Sequence, residues 1–342
     1  MSDTKHILVT GGAGYIGSHT VVELINGGYS PVIVDDFRNS HKKVIQGIKD
    51  ITGEEVIYRQ VDVCDLKAFE EVFREFTFNG IIHFAALKAV GESVQEPLMY
   101  YRNNVVGLVN CLELAEKHGV KNIVFSSSCT IYGEPKGEKT VTENTEMGIA
   151  NAPYGYTKQI GEQMIHDVIQ SGADLKILKL RYFNPIGAHP SSSIGELPMG
   201  IPNNLLPFVT QTAMGKHDKL KVFGSDYCTI DGTCVRDYVH VLDVANAHVK
   251  GLDWLGNQSN SFTESVNIGT GKGTSVLEII HTFEEVSGKK LIWEFAERRG
   301  GDIEEIYADV TKAKTLLNWS SEKTVKDAVR DAWNWELKLK ND

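Results

Sequence analysis

The sequence predicts an α/β fold, a doubly wound parallel sheet of Rossmann type joined to a second, smaller mixed lobe. Three observations predict it. A glycine-rich segment separates an apolar run from a helical pattern at the amino end, strand-like and helix-like stretches alternate through the first half, and the texture changes near Asn184. The first strand is His6-Ile7-Leu8-Val9-Thr10, and Gly11-Gly12-Ala13-Gly14-Tyr15-Ile16-Gly17 follows at once. Gly12, Gly14 and Gly17 fit one dinucleotide pattern, whereas Gly11, Gly14 and Gly17 fit its G-x-x-G-x-x-G variant. Such glycines let the backbone turn tightly and approach a pyrophosphate, whose charge rests on the next helix N-terminus. Apolar spacing at Ile16, Val21, Val22, Leu24 and Ile25 gives that helix, and Gly27-Gly28 stops it. A second strand, Pro31-Val32-Ile33-Val34, ends in Asp35-Asp36. An acid at that point accepts ribose hydroxyls and repels a 2′-phosphate, so NAD is expected rather than NADP.

Further apolar runs occur at Glu55–Tyr58, Gly80–Phe84, Asn122–Phe125 and Leu175–Leu178, with a clear helical pattern over Val105–Lys117 between them. This alternation means a parallel sheet covered by helices on both faces. Beyond about Asn184 prolines and glycines thicken, as at Pro185, Gly187, Pro190, Gly195 and Pro198. Residues 1–183 are therefore expected to form a dinucleotide-binding unit. Residues 184–342 are expected to be mostly substrate-binding, with some segments, around 236–250 for example, returning to the first lobe. The run from Lys323 to Leu339 carries Val325, Ala328, Val329, Ala332 and Trp333 on one stripe, an amphipathic helix packed on a core.

Bulk properties narrow the function. A chain of 342 residues with 42% hydrophobic and 23% charged residues is an ordinary globular balance. A net charge of −10 argues against a nucleic-acid or membrane-surface binder. The five cysteines, Cys64, Cys111, Cys129, Cys228 and Cys234, form no C-x-x-C pair. With no signal peptide and no apolar run long enough to span a bilayer, reduced cytoplasmic thiols are expected. No metal is expected: His240 and His248 are too far apart for a helical pair, and no carboxylate–histidine spacing fits zinc.

Chemistry enters at Pro153-Tyr154-Gly155-Tyr156-Thr157-Lys158. A free phenol ionises near pH 10, so tyrosine is a poor base at neutral pH. A lysine one helical turn away shares its face and can favour the phenolate by its charge. The pair could then take a proton from a sugar or alcohol hydroxyl while a bound nicotinamide takes the hydride. A Y-x-x-x-K pair by itself is usually an ordinary helix surface. Here it follows both the glycine loop and a serine run ending in Ser128.

Taken with His83-Phe84-Ala85-Ala86-Leu87-Lys88-Ala89-Val90-Gly91-Glu92-Ser93, Arg181-Tyr182-Phe183-Asn184 and Val235-Arg236-Asp237-Tyr238-Val239-His240, these motifs span the chain. The sequence resembles the extended short-chain dehydrogenases/reductases, and among them the UDP-glucose 4-epimerase family. The resemblance implies Ser128 beside Tyr154 and Lys158 as catalytic residues, with Thr130 in support. In a continuing strand Ser128 and Thr130 would face the sugar together and Cys129 the other way, as a small apolar filler. Related sugar-nucleotide 4,6-dehydratases carry an acid just after the first hydroxyl; Cys129-Thr130 supplies none.

For NAD the resemblance implies Gly11, Gly14, Tyr15, Ile16 and Gly17 in the turn, then Asp35, Phe37, Asn39 and Ser40. It adds Asp62 and Val63 near the adenine, and Phe84, Ala85, Lys88 and Asn103. Tyr154, Lys158 and Tyr182 complete the cofactor side. One departure, Ala86 for the usual glycine, adds only a methyl. For the substrate it implies Ser128, Tyr154, Asn184, Asn203, Leu205, Arg236 and Arg299, with Phe223, Tyr238, Asp302 and Ile306. Ile306 would line the sugar pocket, where a bulky aromatic excludes N-acetylated sugars. The implied activity is the interconversion of UDP-glucose and UDP-galactose through a 4-keto sugar with resident NAD, and weaker turnover of UDP-N-acetylhexosamines. A homodimer built on a four-helix contact that includes the Tyr154 helix is also implied. Two alternatives stand beside this, another NAD-dependent nucleotide-sugar epimerase and a non-catalytic dinucleotide-binding sensor. Retention of Ser128, Tyr154 and Lys158 together argues against the sensor.

Overall fold

In the computed structural model, which describes residues 4–135, 137, 139–300 and 302–341, seven parallel strands make the main sheet. Strands β1 (His6–Thr10), β2 (Ser30–Asp35), β3 (Ile57–Gln60), β4 (Phe78–His83) and β5 (Asn122–Ser128) stand in the order β3-β2-β1-β4-β5. Strand Lys176–Tyr182 follows β5, and Phe262–Ile268 closes the far edge. Leu8 lies level with Val32 on one side and Ile81 on the other, and Val124 lies level with Leu178.

Strand alternation sends β1 into two cores. Ile7 and Val9 pack with helix α1 (Tyr15–Asn26) and helix Val241–Gly256, whereas Leu8 packs with Phe69, Leu108, Leu112 and Ile165 from the opposite helical layer. All three are fully buried, and truncating one such side chain to alanine costs about 2–5 kcal/mol. Burial on both faces explains why these strands read as continuous apolar runs.

The chain leaves the first lobe after Tyr182 and comes back to it. Helix Val241–Gly256 packs on α1 and β5, and Phe262–Ile268 pairs along the whole of Lys176–Tyr182. Strand Asn184–Ile186 pairs with Tyr238–His240 at the crossing between lobes. The second lobe holds a four-stranded mixed sheet of Thr274–Ser275, Val235–Arg236, Glu305–Ala308 and Thr140–Val141. A parallel pair, Leu220–Phe223 with Trp293–Ala296, completes it. Its own core gathers Leu206, Val209, Val222, Ile280, Phe283 and Trp333, the last from the amphipathic C-terminal helix. Among the described residues no helix is long and apolar enough to cross a membrane, and no cluster of His, Cys, Asp or Glu could hold a metal ion.

Candidate active site

The strand order reverses between β1 and β4, and in a doubly wound sheet ligands bind outside the carboxyl ends of the strands at that crevice. The candidate residues arrive there because strands deliver them: the glycine loop after β1, Asp35 at the end of β2, Phe84 and Ala85 after β4, Ser128 at the end of β5, and Tyr182 at the end of its strand.

The glycine loop is shaped by close approach. Gly11 has φ +69°, and a Cβ there would lie 2.8 Å from the Ala85 nitrogen. A Cβ on Gly17 would stand 2.2 Å from the Gly11 carbonyl oxygen. Gly14 precedes α1 with no side-chain cap, so the helix N-terminus faces the crevice without a competing carboxylate or hydroxyl. Ile16 packs half-buried on the core, and the Tyr15 hydroxyl donates to the Gly187 carbonyl at 2.7 Å. Asp35 is buried and accepts from Ala13 N at 3.0 Å, Phe37 N at 2.9 Å and Ser40 Oγ at 2.8 Å. Burial pushes its carboxyl up from the ordinary range, and those three hydrogen bonds oppose the rise.

Further along, Asp62 accepts Arg38 at 2.8 Å, Arg38 also pairs with Asp36 at 2.8 Å, and it reaches Asn103 at 3.3 Å. The sequence argument did not single out Arg38. An arginine beside a ribose can accommodate a 2′-phosphate, but two carboxylates already occupy this one. Val63 is buried beside Gly107, Phe37 stacks edge-on against Tyr58, and Asn39 is exposed. Lys88 pairs with Glu196 of the second lobe at 3.0 Å and lies over the Tyr15 ring. Asn104, also missed in sequence, bonds both backbone groups of Leu87 and the Thr157 hydroxyl, tying the loop after β4 to the Tyr154 helix.

The Tyr154 helix, Pro153–Gln170, lays its first turns against β5. Burial pushes the Tyr154 phenol above its ordinary value, the neighbouring Tyr182 adds to this, and the nearby Ser128 hydroxyl opposes. Lys158 is buried, donates to the Ser126 carbonyl at 2.6 Å and lies over the Phe125 ring. Burial lowers its ammonium to about 8. The expected depression of the phenol by Lys158 therefore does not govern this chain by itself: desolvation dominates, and the ammonium is engaged on β5. The Tyr182 hydroxyl bonds the Ser126 hydroxyl.

Thr130 departs from expectation. The strand stops at Ser128, and Cys129–Tyr132 forms a 3-10 turn, so strand alternation does not carry from Ser128 to Thr130. The Thr130 amide donates to Ser128 Oγ at 3.2 Å, and its own hydroxyl oxygen is buried without a protein partner. Cys129 packs on a small cluster of Ile131, Tyr132, Val141, Phe183, Ile306 and Ala308. Burial pushes its thiol up to about 12. Asn184 Oδ1 is likewise buried and unpartnered.

In the second lobe Arg299 grips Asp302 at 2.7 Å and lies over the half-exposed Phe223 ring. Arg236 stands 3.9 Å from the same carboxylate. Tyr238 is buried, Ile306 is buried level with Arg236 in the adjoining strand, Leu205 opens helix Leu205–Ala213, and Asn203 is exposed just before it. Two guanidiniums sharing one acid leave a net positive charge, which suits a diphosphate.

Comparison with known proteins places the chain in a family. The sequence model of a family described as GDP-mannose 4,6 dehydratase matches residues 8–332. UDP-glucose 4-epimerase 2 of Arabidopsis thaliana is 51% identical over 334 residues, covering 97% of this chain and 95% of that protein. The UDP-glucose 4-epimerase of Bacillus subtilis is 49% identical over 330 residues, 96% of each chain. A crystal structure of the Bifidobacterium longum UDP-glucose 4-epimerase in complex with NAD+ and UDP superposes with a TM-score of 0.94 at 44% identity, covering 98% of this chain and 99% of that one. By sequence along nearly its whole length and by fold, this chain belongs to the UDP-glucose 4-epimerase family of the extended short-chain dehydrogenases/reductases.

Proposed function

We infer that this protein is an NAD-dependent UDP-glucose 4-epimerase, interconverting UDP-glucose and UDP-galactose through a 4-keto sugar. The observation that carries it is Tyr154, half-buried beside Ser128 and one helical turn from Lys158, which donates to the Ser126 carbonyl at the end of β5, in a fold whose relatives are epimerases. NAD supplies, when bound, an acceptor for the C4 hydride and a positive charge beside the phenol. The remainder is the work of side chains. The uncapped N-terminus of α1 takes the pyrophosphate, and the cramped Gly11 and Gly17 leave no room for a side chain in its way. An ionised carboxylate offers about four acceptor sites. Asp35 uses three on the Ala13 and Phe37 amides and the Ser40 hydroxyl, which leaves a site on Oδ2 for a ribose hydroxyl.

Tyr154 as phenolate removes the proton of the sugar 4-hydroxyl and returns it, while Ser128 hydrogen-bonds the same oxygen. Lys158, held on the Ser126 carbonyl, supplies positive charge one turn from the phenol, and Lys88 lies on the nicotinamide ribose side. Thr130 Oγ1 and Asn184 Oδ1 are buried polar atoms without a protein partner at the substrate side of the site. Arg236 and Arg299 take the diphosphate, with Asp302 orienting them and Phe223 and Tyr238 as walls. The uridine diphosphate is held firmly and the hexose loosely, so that the keto sugar can present either face. A dehydratase needs an acid at the Cys129-Thr130 position, and this chain has none there.

Three finer readings go with it. A homodimer is supported by exposed Val90, Val94, Leu98, Tyr156 and Ile160 on neighbouring helices, the last two on the Tyr154 helix. A cytoplasmic setting is supported by five unpaired thiols. A cofactor unit running to about residue 183 takes back helix Val241–Gly256 and strand Phe262–Ile268, and most of the remainder forms the substrate unit. The deciding experiment is the absorbance spectrum and mass of the purified protein, followed by UDP-galactose turnover without added NAD. Bound NAD with turnover is expected; no turnover would overturn the assignment.

A further inference from the structure

Three consecutive serines end β5, and each is held differently. The Ser126 carbonyl accepts Lys158, and its hydroxyl bonds Tyr182. Ser127, turned to the other face by strand alternation, donates to Glu162 Oε1 at 2.5 Å. Ser128 Oγ accepts the Thr130 amide at 3.2 Å and lies beside the Tyr154 phenol. Glu162 lies one turn beyond Lys158, so Tyr154, Lys158 and Glu162 follow one another at four-residue spacing along the helix.

Glu162 is only 2% exposed. Arg181 forks onto both of its oxygens, Nε at 2.9 Å and Nη2 at 2.6 Å. The fork is itself fixed: Arg181 Nη1 donates to the Tyr132 hydroxyl and to the Glu143 carbonyl, both at 3.1 Å. The Tyr132 hydroxyl in turn donates to Asn267 Oδ1 at 2.6 Å. A buried ion pair of this kind is a weak device for stability, because well-packed apolar residues of similar volume often serve as well. A fully satisfied polar network does restrict geometry, and this one spans β5, the Tyr154 helix, the turn after β5 and two further strands.

We propose that Glu162, clamped by Arg181, is a positioning residue for the epimerisation site: through Ser127 it fixes the end of β5 against the Tyr154 helix, so that the Ser126 carbonyl and Ser128 hydroxyl meet Lys158 and Tyr154. The assignment rests on the epimerase reading. Its reach comes from spacing, since Ser127 is flanked on both sides by residues that hold the proposed catalytic side chains. Glu162 has a second effect on the same site. Its charge favours the Lys158 ammonium, which burial disfavours. The other groups around Lys158 are the Phe125 ring on β5 and His83 on β4, held by Thr10; Arg181 and Lys179, on the next strand, face Glu162 from beyond.

The test uses the NAD-loaded enzyme, with kcat and KM for UDP-galactose measured across neutral and alkaline pH. Glu162→Gln is expected to lower kcat by about 10- to 100-fold, as misplacement of a reacting group does. KM should stay near the parental value. The pH at which kcat falls on the alkaline side should move down, because the ammonium has lost the charge that favours it. Ser127→Ala leaves Glu162 and Arg181 paired, so it is expected to fold, to lower kcat and to leave the alkaline limit in place. Melting temperature and near-UV circular dichroism establish that each variant is folded. If Glu162→Gln does not fold, the Ser127→Ala kcat decides. A parental kcat for Ser127→Ala overturns the proposal, and so does a folded Glu162→Gln with the parental kcat and pH profile. Absence of UDP-galactose turnover in the parent instead overturns the epimerase reading on which it rests.

Discussion

Lys158 Nζ donates to the Ser126 carbonyl at 2.6 Å, two residues before Ser128, which lies beside Tyr154. One strand end therefore anchors the cation and faces the phenol. Burial alone holds Tyr154 as a neutral phenol, and the helix spacing of four residues does not by itself make it a base. Positive charge beside the ring and the nearby Ser128 hydroxyl have to do so together.

Tyr154→Phe should remove the base while leaving NAD bound, because none of the residues around the glycine loop or Asp35 depends on the phenol. Loss of a general base commonly lowers the rate by about 10²–10⁴-fold. Turnover of UDP-galactose and the cofactor content of the purified variant are the two measurements. Parental turnover with full NAD content would assign the proton transfer to another group.

Asp35→Ala should relax discrimination against NADP. Asp35 stands buried at the end of β2 with one acceptor site left for a ribose hydroxyl, and its charge opposes a 2′-phosphate. Arg38 would not take over the phosphate at once, since Asp36 and Asp62 both hold it. The expected result is a smaller NAD-to-NADP affinity ratio, caused mostly by weaker NAD binding. Comparing dissociation constants for the two cofactors in parent and variant checks it, and a parent that binds NADP as well as NAD contradicts it.

These relationships differ in how far they can be read from sequence, and the difference is physical. The β1–glycine–α1–β2–Asp35 unit is legible because each device is local: an apolar run, small residues where the backbone crowds, an acid at the strand end. The Tyr154–Lys158 spacing is legible for the same reason. The end of β5 is not. Cys129-Thr130-Ile131-Tyr132 has strand-like composition, yet it turns, because Gly133 adopts φ +58° and the Gly148 amide reaches back to the Tyr132 carbonyl at 3.1 Å. A Cβ on Gly133 would lie 2.4 Å from the Ile149 carbonyl oxygen, a contact set by chain sixteen residues away. The addition of Phe262–Ile268 to the main sheet and the approach of Arg236 to Asp302 are equally long-range. No local pattern encodes them.

Stability should fall on mild acidification because of three buried histidines. Burial lowers His19 and His83 to about 3 and His248 to about 4. In the unfolded chain each titrates near ~6.5. Below that value the unfolded state binds protons that the folded state does not, so stability is full above it and is lost as pH falls toward the folded values. Each histidine removes up to about 1.4 kcal/mol per pH unit in that window. Burial raises the carboxyls of Asp35, Asp237 and Asp243, which act in the opposite sense, so the readout is the difference between parent and variant in melting temperature between about pH 6.5 and 5. A shallower decline is expected in His19→Gln than in the parent. Equal slopes in the two over that interval would show that His19 is not held neutral.

Sugar size should be set in part by Ile306. It is 2% exposed in strand Glu305–Ala308, level with Arg236, in the cluster that also takes Cys129 and Phe183. An aromatic ring at this point would fill the space an acetamido group needs. Isoleucine lacks the outer half of such a ring, yet its β-branch is stiff and cannot swing aside. UDP-glucose and UDP-galactose should therefore be preferred, with weaker but measurable turnover of UDP-N-acetylglucosamine. Discrimination by one or two methylene equivalents amounts to about 1–3 kcal/mol, so the preference is modest. Ile306→Tyr should sharpen it. Ile306→Gly should reduce it, at a stability cost of about 2–5 kcal/mol for the cavity left in a buried cluster. The quantity to measure is the ratio of kcat/KM for the two substrate pairs in parent and both variants. If N-acetylated sugars are untouched by the parent, or neither substitution moves the ratio, the sugar is selected elsewhere.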